Sequence, residues 1–296
     1  MKKIIGFCFV VAIGVSRIYA QSIEKKLQVS LSTGYQQQNF HWSIAGNLNG
    51  QNPNIYSELK WQHLGGQNIA ANVQWNVWKQ FSLYASYNRQ SISSGSVTDT
   101  DYGADNRTSP TYHETFNGDE GNTSQWNAGA GFILINNERF CLIPYVGYTM
   151  SKQSLHLLDR TGNFPDLNST YQPNWKGGFL KVTSSVRIIK NLKFAADVTY
   201  NQVNYNSKAN WNLIQTFQHP VSYRHHASGY GIEAGGQFVY TVYRNLSVHV
   251  GGGYFNWQTG NGTDELYLNN GQVDKTQLNE VVNSGFSVQG GIGLTF

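Results

Sequence analysis

Apolar and polar residues take turns along most of this chain. In the stretch that ends at Phe296, Val282, Phe286, Val288, Ile292, Leu294 and Phe296 share one parity, while Asn283, Ser287, Gln289 and Thr295 share the other. The same rule separates Leu192, Phe194, Ala196, Val198 and Tyr200 from Lys193, Asp197, Thr199 and Asn201. It recurs in Ile69, Ala71, Val73, Trp75 and Val77 against Asn72, Gln74 and Asn76, and in Leu180, Val182, Val186 and Ile188 against Lys181, Thr183 and Arg187. A period of two belongs to a strand whose faces meet different surroundings. Further alternating segments start near Leu27, Phe81, Trp126, Phe140, Ile232 and Leu246, which brings the expected strands to ten.

The connections also alternate. Four are tight, at Trp78 to Gln80, Asn136 to Glu138, Ile189 to Asn191 and Tyr243 to Asn245, and five read as long polar loops at about 43–54, 91–125, 157–176, 206–228 and 258–281. Short turns at one end, long loops at the other and an even strand number describe an all-β fold. The expectation is a ten-stranded antiparallel up-and-down transmembrane β-barrel with periplasmic turns and extracellular loops. A soluble β-sandwich shares the alternation. Three features favour the barrel. Aromatics gather near strand ends (Trp42, Trp61, Trp75, Trp78, Tyr145, Tyr148, Tyr254, Trp257), as interfacial girdles do. The strands exceed the usual globular length. The Ile292, Leu294, Phe296 stripe resembles the signal that the barrel-assembly machinery reads at the C-terminus of bacterial outer-membrane proteins.

Composition sharpens this picture. Only 13% of the 296 residues are charged and 14% are aromatic, about half the usual charged fraction. Long helices with Lys- and Glu-rich outer faces are therefore disfavoured. Lys2 and Lys3 precede the apolar run Ile4 to Val15 and a cleavage point after Tyr19-Ala20, so residues 1–20 read as a secretory signal and 21–296 as the barrel domain. Of the 21 basic residues the signal removes Lys2, Lys3 and Arg17, leaving 18 against 17 acidic ones. That near-neutral balance supports no nucleic-acid partner. Cys8 departs with the signal, and Cys141 alone forms no internal disulfide. The expected location is the outer membrane of a diderm bacterium, with its lipid as the surrounding partner and no cofactor.

Lipid offers backbone groups no hydrogen-bond partner, so the sheet must close and its polar stripe must become the lumen. By parity Glu58, Lys60, Lys181, Arg187, Lys193, Asp197 and Glu233 point inward. Opposite charges on neighbouring strands read as a lumen-filling network, and ten strands leave little open width. Zinc-type Cys/His spacing, a phosphate-binding Gly-rich loop and a Gly-x-Ser-x-Gly elbow are all missing from the sequence. No metal site is expected.

Several stretches resemble the omptins, ten-stranded outer-membrane aspartyl proteases, and still more their relatives, the Protochlamydia-type outer-membrane proteins. In chain order these are Tyr56-Ser-Glu-Leu-Lys-Trp61, Val73-Gln-Trp-Asn76, Val97-Thr-Asp-Thr-Asp-Tyr102, Pro144-Tyr-Val-Gly-Tyr148, Trp175-Lys-Gly177 and Gly293-Leu-Thr-Phe296. The resemblance implies an Asp pair on one wall of an extracellular groove facing an Asp-His pair on the other, with a water between them. Asp99 and Asp101 match the first pair, and D-x-D spacing on a strand points both side chains to one face. The second pair falls at Asn210 and Asn212, and an amide is no general base. Asp and Glu are missing between Asp197 and Glu233, whereas His219, His225 and His226 lie nearby as possible replacement bases. Basic-cleaving omptins also carry acidic specificity residues on the first strand, and Gln36 to Phe40 offers none.

Two other readings of the Asp pair remain open, a turn-forming polar cluster and a weak calcium site with Asp105. The resemblance also implies lipopolysaccharide binding on the outer wall through Tyr148 and Lys152, with Met150 where the family carries an acid. Three functions follow. The leading one is a non-proteolytic surface or envelope barrel; the others are a small-solute porin and an omptin-like endopeptidase with a replaced base. Oligomeric state is left open.

Overall fold

A computed structural model describes residues 26–296, and the export signal expected over 1–20 lies outside them. Twelve strand segments form one antiparallel sheet. They are β1 (Leu27–Ile44), β2 (Ser57–Trp78), β3 (Phe81–Ala104), β4 (Thr108–Asn117), β5 (Gly121–Phe132), β6 (Ile135–Asn136), β7 (Phe140–Leu158), β8 (Asn168–Ile189), β9 (Leu192–Asn210), β10 (Tyr223–Tyr243), β11 (Leu246–Tyr267) and β12 (Val273–Thr295). β4 and β5 are successive halves of one stave, pairing with the upper and lower parts of β3, and β6 is a two-residue stub on β7. Ten staves therefore ring the barrel, as the alternation predicts. β1 closes it against β12, from Gln28 opposite Thr295 to Ile44 opposite Leu278.

The tight ends have a local cause. Lys79 and Arg244 open two-residue hairpins with φ of 35°, the left-handed region that such turns require. Outward parity in the lower half is apolar and exposed: Val146, Leu180, Val182, Val198, Val250, Val288 and Ile292. Along β12 and the residue after it this face runs from Phe286 to Phe296. Ten steps of about 3.4 Å, tilted about 45°, span roughly 25 Å, the height of an outer-membrane hydrocarbon band. Trp75, Trp78, Phe81 and Tyr243 rim its lower edge, and Tyr35, Trp126, Tyr148, Tyr200, Tyr230 and Tyr254 its upper edge.

Four aromatics expected in the girdles lie elsewhere. Trp42, Trp61, Tyr145 and Trp257 are buried inside the barrel, Trp61 with 1% of its surface exposed. Strand ends in the sequence are not membrane edges, because the strands are longer than the membrane is thick. β3 has 24 residues, whereas a tilted membrane strand needs about 9 to 11. The excess continues the staves past the lipid. The expected loop at 91–125 is mostly paired strand; the first connection keeps its length at 45–56, and the others shrink to 105–107, 159–167, 211–222 and 268–272. These stretches resemble loops in sequence because their outer face meets water and is polar.

Inside the projecting collar the apolar parity is reversed. One extra residue in β2 about His63, opposite Gln38 to Phe40 of β1, exchanges the two faces of β2, whereas the even positions of β1 face inward throughout. Phe40, Trp42, Leu59 and Trp61 thus all face inward and pack with Tyr171, Trp175, Tyr205 and Tyr223 from the opposite wall. The lumen thus has three layers. At the periplasmic end is a cavity of about 880 Å³. Above it lies a layer of buried amides, in which Gln36 and Asn68 bond one another (2.9 Å), Gln90 bonds Gln36 (3.0 Å), and Gln38 bonds Thr123 and Gln153 (2.8 and 3.1 Å). The aromatic plug seals the collar above both. Gly129 and Gly147 make room for the lumenal ring of Phe179, whose Cζ would sit 2.9 and 2.5 Å from a Cβ at those positions.

Candidate extracellular site and the lumenal charges

Asp99 and Asp101 sit on the inner face of the collar. Cross-strand pairing sets Asp99 between Leu59 and Glu114, and Asp101 between Ser57 and Tyr112. Burial, then the neighbouring Asp101 charge, push the Asp99 carboxyl up to about 8, so it is mostly protonated at neutral pH. Burial raises Asp101 too, against the Ser57 hydroxyl that bonds it. Tyr112 is pushed up to about 12 by burial and by the charges of Asp99, Glu114 and Asp101. Asp105 stands apart at the hairpin tip, where it accepts the Asn54 amide at 2.7 Å. Asp105 therefore does not join the pair. Among the described residues no group of three or more His, Cys, Asp or Glu is arranged to hold a metal ion.

The far wall carries amides where the resemblance would place the second pair, and both serve loop structure. Asn210 Oδ1 bonds His219 Nδ1 at 2.7 Å. Asn212 Oδ1 accepts the Asn168 amide and the Ser169 hydroxyl at 3.0 and 3.1 Å, and its Nδ2 donates to the Asp166 carbonyl. His226 faces outward to Asn206 at 2.6 Å. His225 faces inward and finds a carboxylate that the sequence reading did not single out: Nε2 lies 3.2 Å from Asp264 Oδ1. Its Nδ1 bonds the Tyr171 hydroxyl at 2.7 Å, which in turn meets Tyr205 at 2.6 Å and Ser207 at 2.9 Å. The β10–β11 register makes His225 and Asp264 direct partners. Aligning the two alternations about the Arg244–Asn245 turn would have found the pair, but residue 264 fell in an expected loop.

His225 resembles a base oriented by an acid, yet it is fully buried. Trp42, Tyr171 and Tyr223 pack around it at ring distances of 4.9, 5.6 and 5.2 Å. Its Nδ1 is committed to Tyr171, whereas Nε2, beside Asp264, is buried without a hydrogen-bond partner. Among the described residues no His bonds Asp99 or Asp101. Asp99 Oδ1 and the Tyr223 hydroxyl are buried without hydrogen-bond partners.

The expected inward charge network divides in two. Glu58 and Lys60 leave it, because the register shifts turn them to the face opposite Leu59 and Trp61. There Glu58 binds Lys60 at 2.8 Å and Arg107 at 2.8 and 3.2 Å. Burial alone would raise Glu58, but these two cations hold it below its ordinary value. His41 and Glu280, 3.5 Å apart, lie on the same outer face. Lys181, Arg187, Lys193, Asp197 and Glu233 do face the lumen. Lys181 pairs with Asp197 at 2.5 Å, and Glu233 accepts from Gln125 and Asn201 at 2.9 and 3.2 Å. Arg187 and Lys193 line the periplasmic cavity. Tyr148 and Lys152 share the outward face of β7, Tyr148 at the upper girdle and Lys152 above it.

A closed ten-stave sheet with a lipid-facing apolar band and a filled lumen defines an outer-membrane β-barrel protein. The sequence model of the family described as Pom, Protochlamydia outer membrane protein, matches residues 30–296, and the chain belongs to that family. No protein of curated function matches the sequence. Among solved structures the outer membrane protease OmpT of Escherichia coli is similar, at a TM-score of 0.73 and 16% identity over 94% of this chain and 100% of that one. At that identity the likeness concerns the fold alone. The translocator domain of the autotransporter NalP from Neisseria meningitidis covers 92% of this chain and 88% of its own at 12% identity, with a TM-score of 0.41. OprG of Pseudomonas aeruginosa covers 92% and 96% at 11%, with 0.39.

Proposed function

We propose that this protein is a plugged envelope barrel without omptin-type proteolysis, its collar of paired strands standing at the cell surface. One observation carries the reading. The space between the Asp99 wall and the wall of Asn210 and Asn212 is filled by Trp42, Trp61, Tyr171 and Tyr223. Peptide hydrolysis by a held water needs a base within hydrogen-bond reach of that water. Asp99 favours its neutral form, and His225 is fully buried among aromatic rings with Nδ1 bonded to Tyr171. Tyr148 and Lys152 suit contact with lipopolysaccharide, and Phe296 suits recognition by the assembly machinery, in line with such a role. The test uses purified barrel in lipopolysaccharide micelles and a degenerate peptide library. No cleavage is expected; cleavage that Asp99→Ala abolishes would overturn the reading.

The periplasmic cavity favours a second reading, a small-solute porin. The amide layer and plug above it oppose a through-path, so inserted protein should be silent in planar bilayers. Discrete current steps with selectivity altered by Lys181→Glu would establish the porin instead.

A further inference from the structure

We propose that the periplasmic half of the lumen is a dead-end binding site for a small phosphate-bearing anion. The cavity exists because its walls are unequal. β11 and β12 contribute Gly251, Gly253 and Gly293, which carry no side chain into it, while β8 and β9, on the other side of β10, contribute Lys181, Arg187 and Lys193. Arg139 and Arg244 add two more cations at the rim, among the periplasmic turns. The volume of about 880 Å³ lies in the range of small-molecule sites.

The charges in it do not balance. Asp197 is taken by Lys181, which leaves Glu138 as the other carboxylate on the lining. Among the described residues none of Arg139, Arg187, Lys193 and Arg244 has a carboxylate within 4.0 Å. Arg187 and Lys193 are direct cross-strand partners, and like charges so placed repel. The Arg187 amide also donates to the Arg139 carbonyl at 2.8 Å, which sets a third cation beside them. The surrounding sheet and lipid lower the dielectric and strengthen this field. An anion bridging Arg187 and Lys193 would relieve it.

Phosphate suits the donors better than a single carboxylate. It brings up to two negative charges and three acceptor oxygens to guanidinium and ammonium groups on separate strands, and Arg forks bind it bidentately. Such a group comes either from a soluble periplasmic phosphate compound or from a phospholipid headgroup at the barrel mouth.

The experiment titrates pyrophosphate into the full barrel in phosphatidylcholine nanodiscs at low salt, by calorimetry. Saturable binding that weakens with salt is expected. The double variant Arg187→Gln, Lys193→Gln should lose about tenfold or more in affinity, while Lys275→Gln on the collar leaves it unchanged. Pyrophosphate should raise the urea midpoint of the wild type and not that of the double variant, which itself should be no less stable because a repulsion has been removed. Weaker binding in phosphatidylglycerol nanodiscs would assign the site to lipid headgroups, and equal binding to soluble phosphates. Absence of saturable binding in phosphatidylcholine, or a double variant that binds like the wild type, would overturn the proposal.

Discussion

Replacing Asp99 with Asn should make the barrel progressively more stable than the wild type as pH rises. The carboxyl titrates near its ordinary value of 3.8 when unfolded and about 8 in the fold, because burial and Asp101 disfavour its charge. The folded chain therefore binds more protons than the unfolded one between these values, and wild-type stability must fall across that window. At about 1.36 kcal/mol per unit, the fall between pH 5 and 8.5 is at most about 4 kcal/mol, and about 2 kcal/mol if water reaches the partly exposed group. Asn mimics the neutral acid and lacks this slope. Asp101, which burial also raises, is present in both proteins, so the difference between them reports Asp99 together with its coupling to Asp101. Urea unfolding in detergent micelles, followed by tryptophan fluorescence at several pH values, would measure it. A stability gap that stays constant with pH, or a ¹³C-labelled Asp99 carboxyl titrating near 4, would show that the collar is open to water and that the plug argument is wrong.

Two further outcomes test the faces of the sheet and the plug. Val182→Arg should destabilise the barrel by about 2 to 4 kcal/mol, the cost of a charge on the lipid face near mid-membrane, whereas Thr183→Arg next to it should be tolerated in the lumen; comparable unfolding midpoints in lipid vesicles would contradict the assigned parity. Tyr171→Phe strands the partners of one hydroxyl, Tyr205, His225 and Ser207, and should cost about 1 to 3 kcal/mol; a neutral result in the same urea assay would mean that this network is solvated.

Much of the barrel was legible in order along the chain. Leu180, Val182 and Val186 alternate with Lys181, Thr183 and Arg187 because each residue of a strand faces the other way from the last, and lipid and lumen demand opposite chemistry. Ten staves, tight periplasmic turns and the inward direction of Lys181, Asp197 and Glu233 follow from that local rule. Asp99 and Asp101 on one face follow from it too.

The rule fails where the environment changes partway along a stave. Above the lipid the outer face meets water and the inner face packs dry, so Trp42 and Trp61 read as girdle residues but fill the plug. The bulge in β2 exchanges its faces, which carries Glu58 and Lys60 outward to Arg107. The His225–Asp264 pair, 39 positions apart in sequence, depends on the register between two strands. A chain can state by itself which of its residues want lipid and which want a polar lumen, because that preference belongs to each side chain. Which side chains meet, which are sealed from water and which charges stay unpaired were decided by strand register and closure of the ring, since those set the distances on which packing and electrostatics depend.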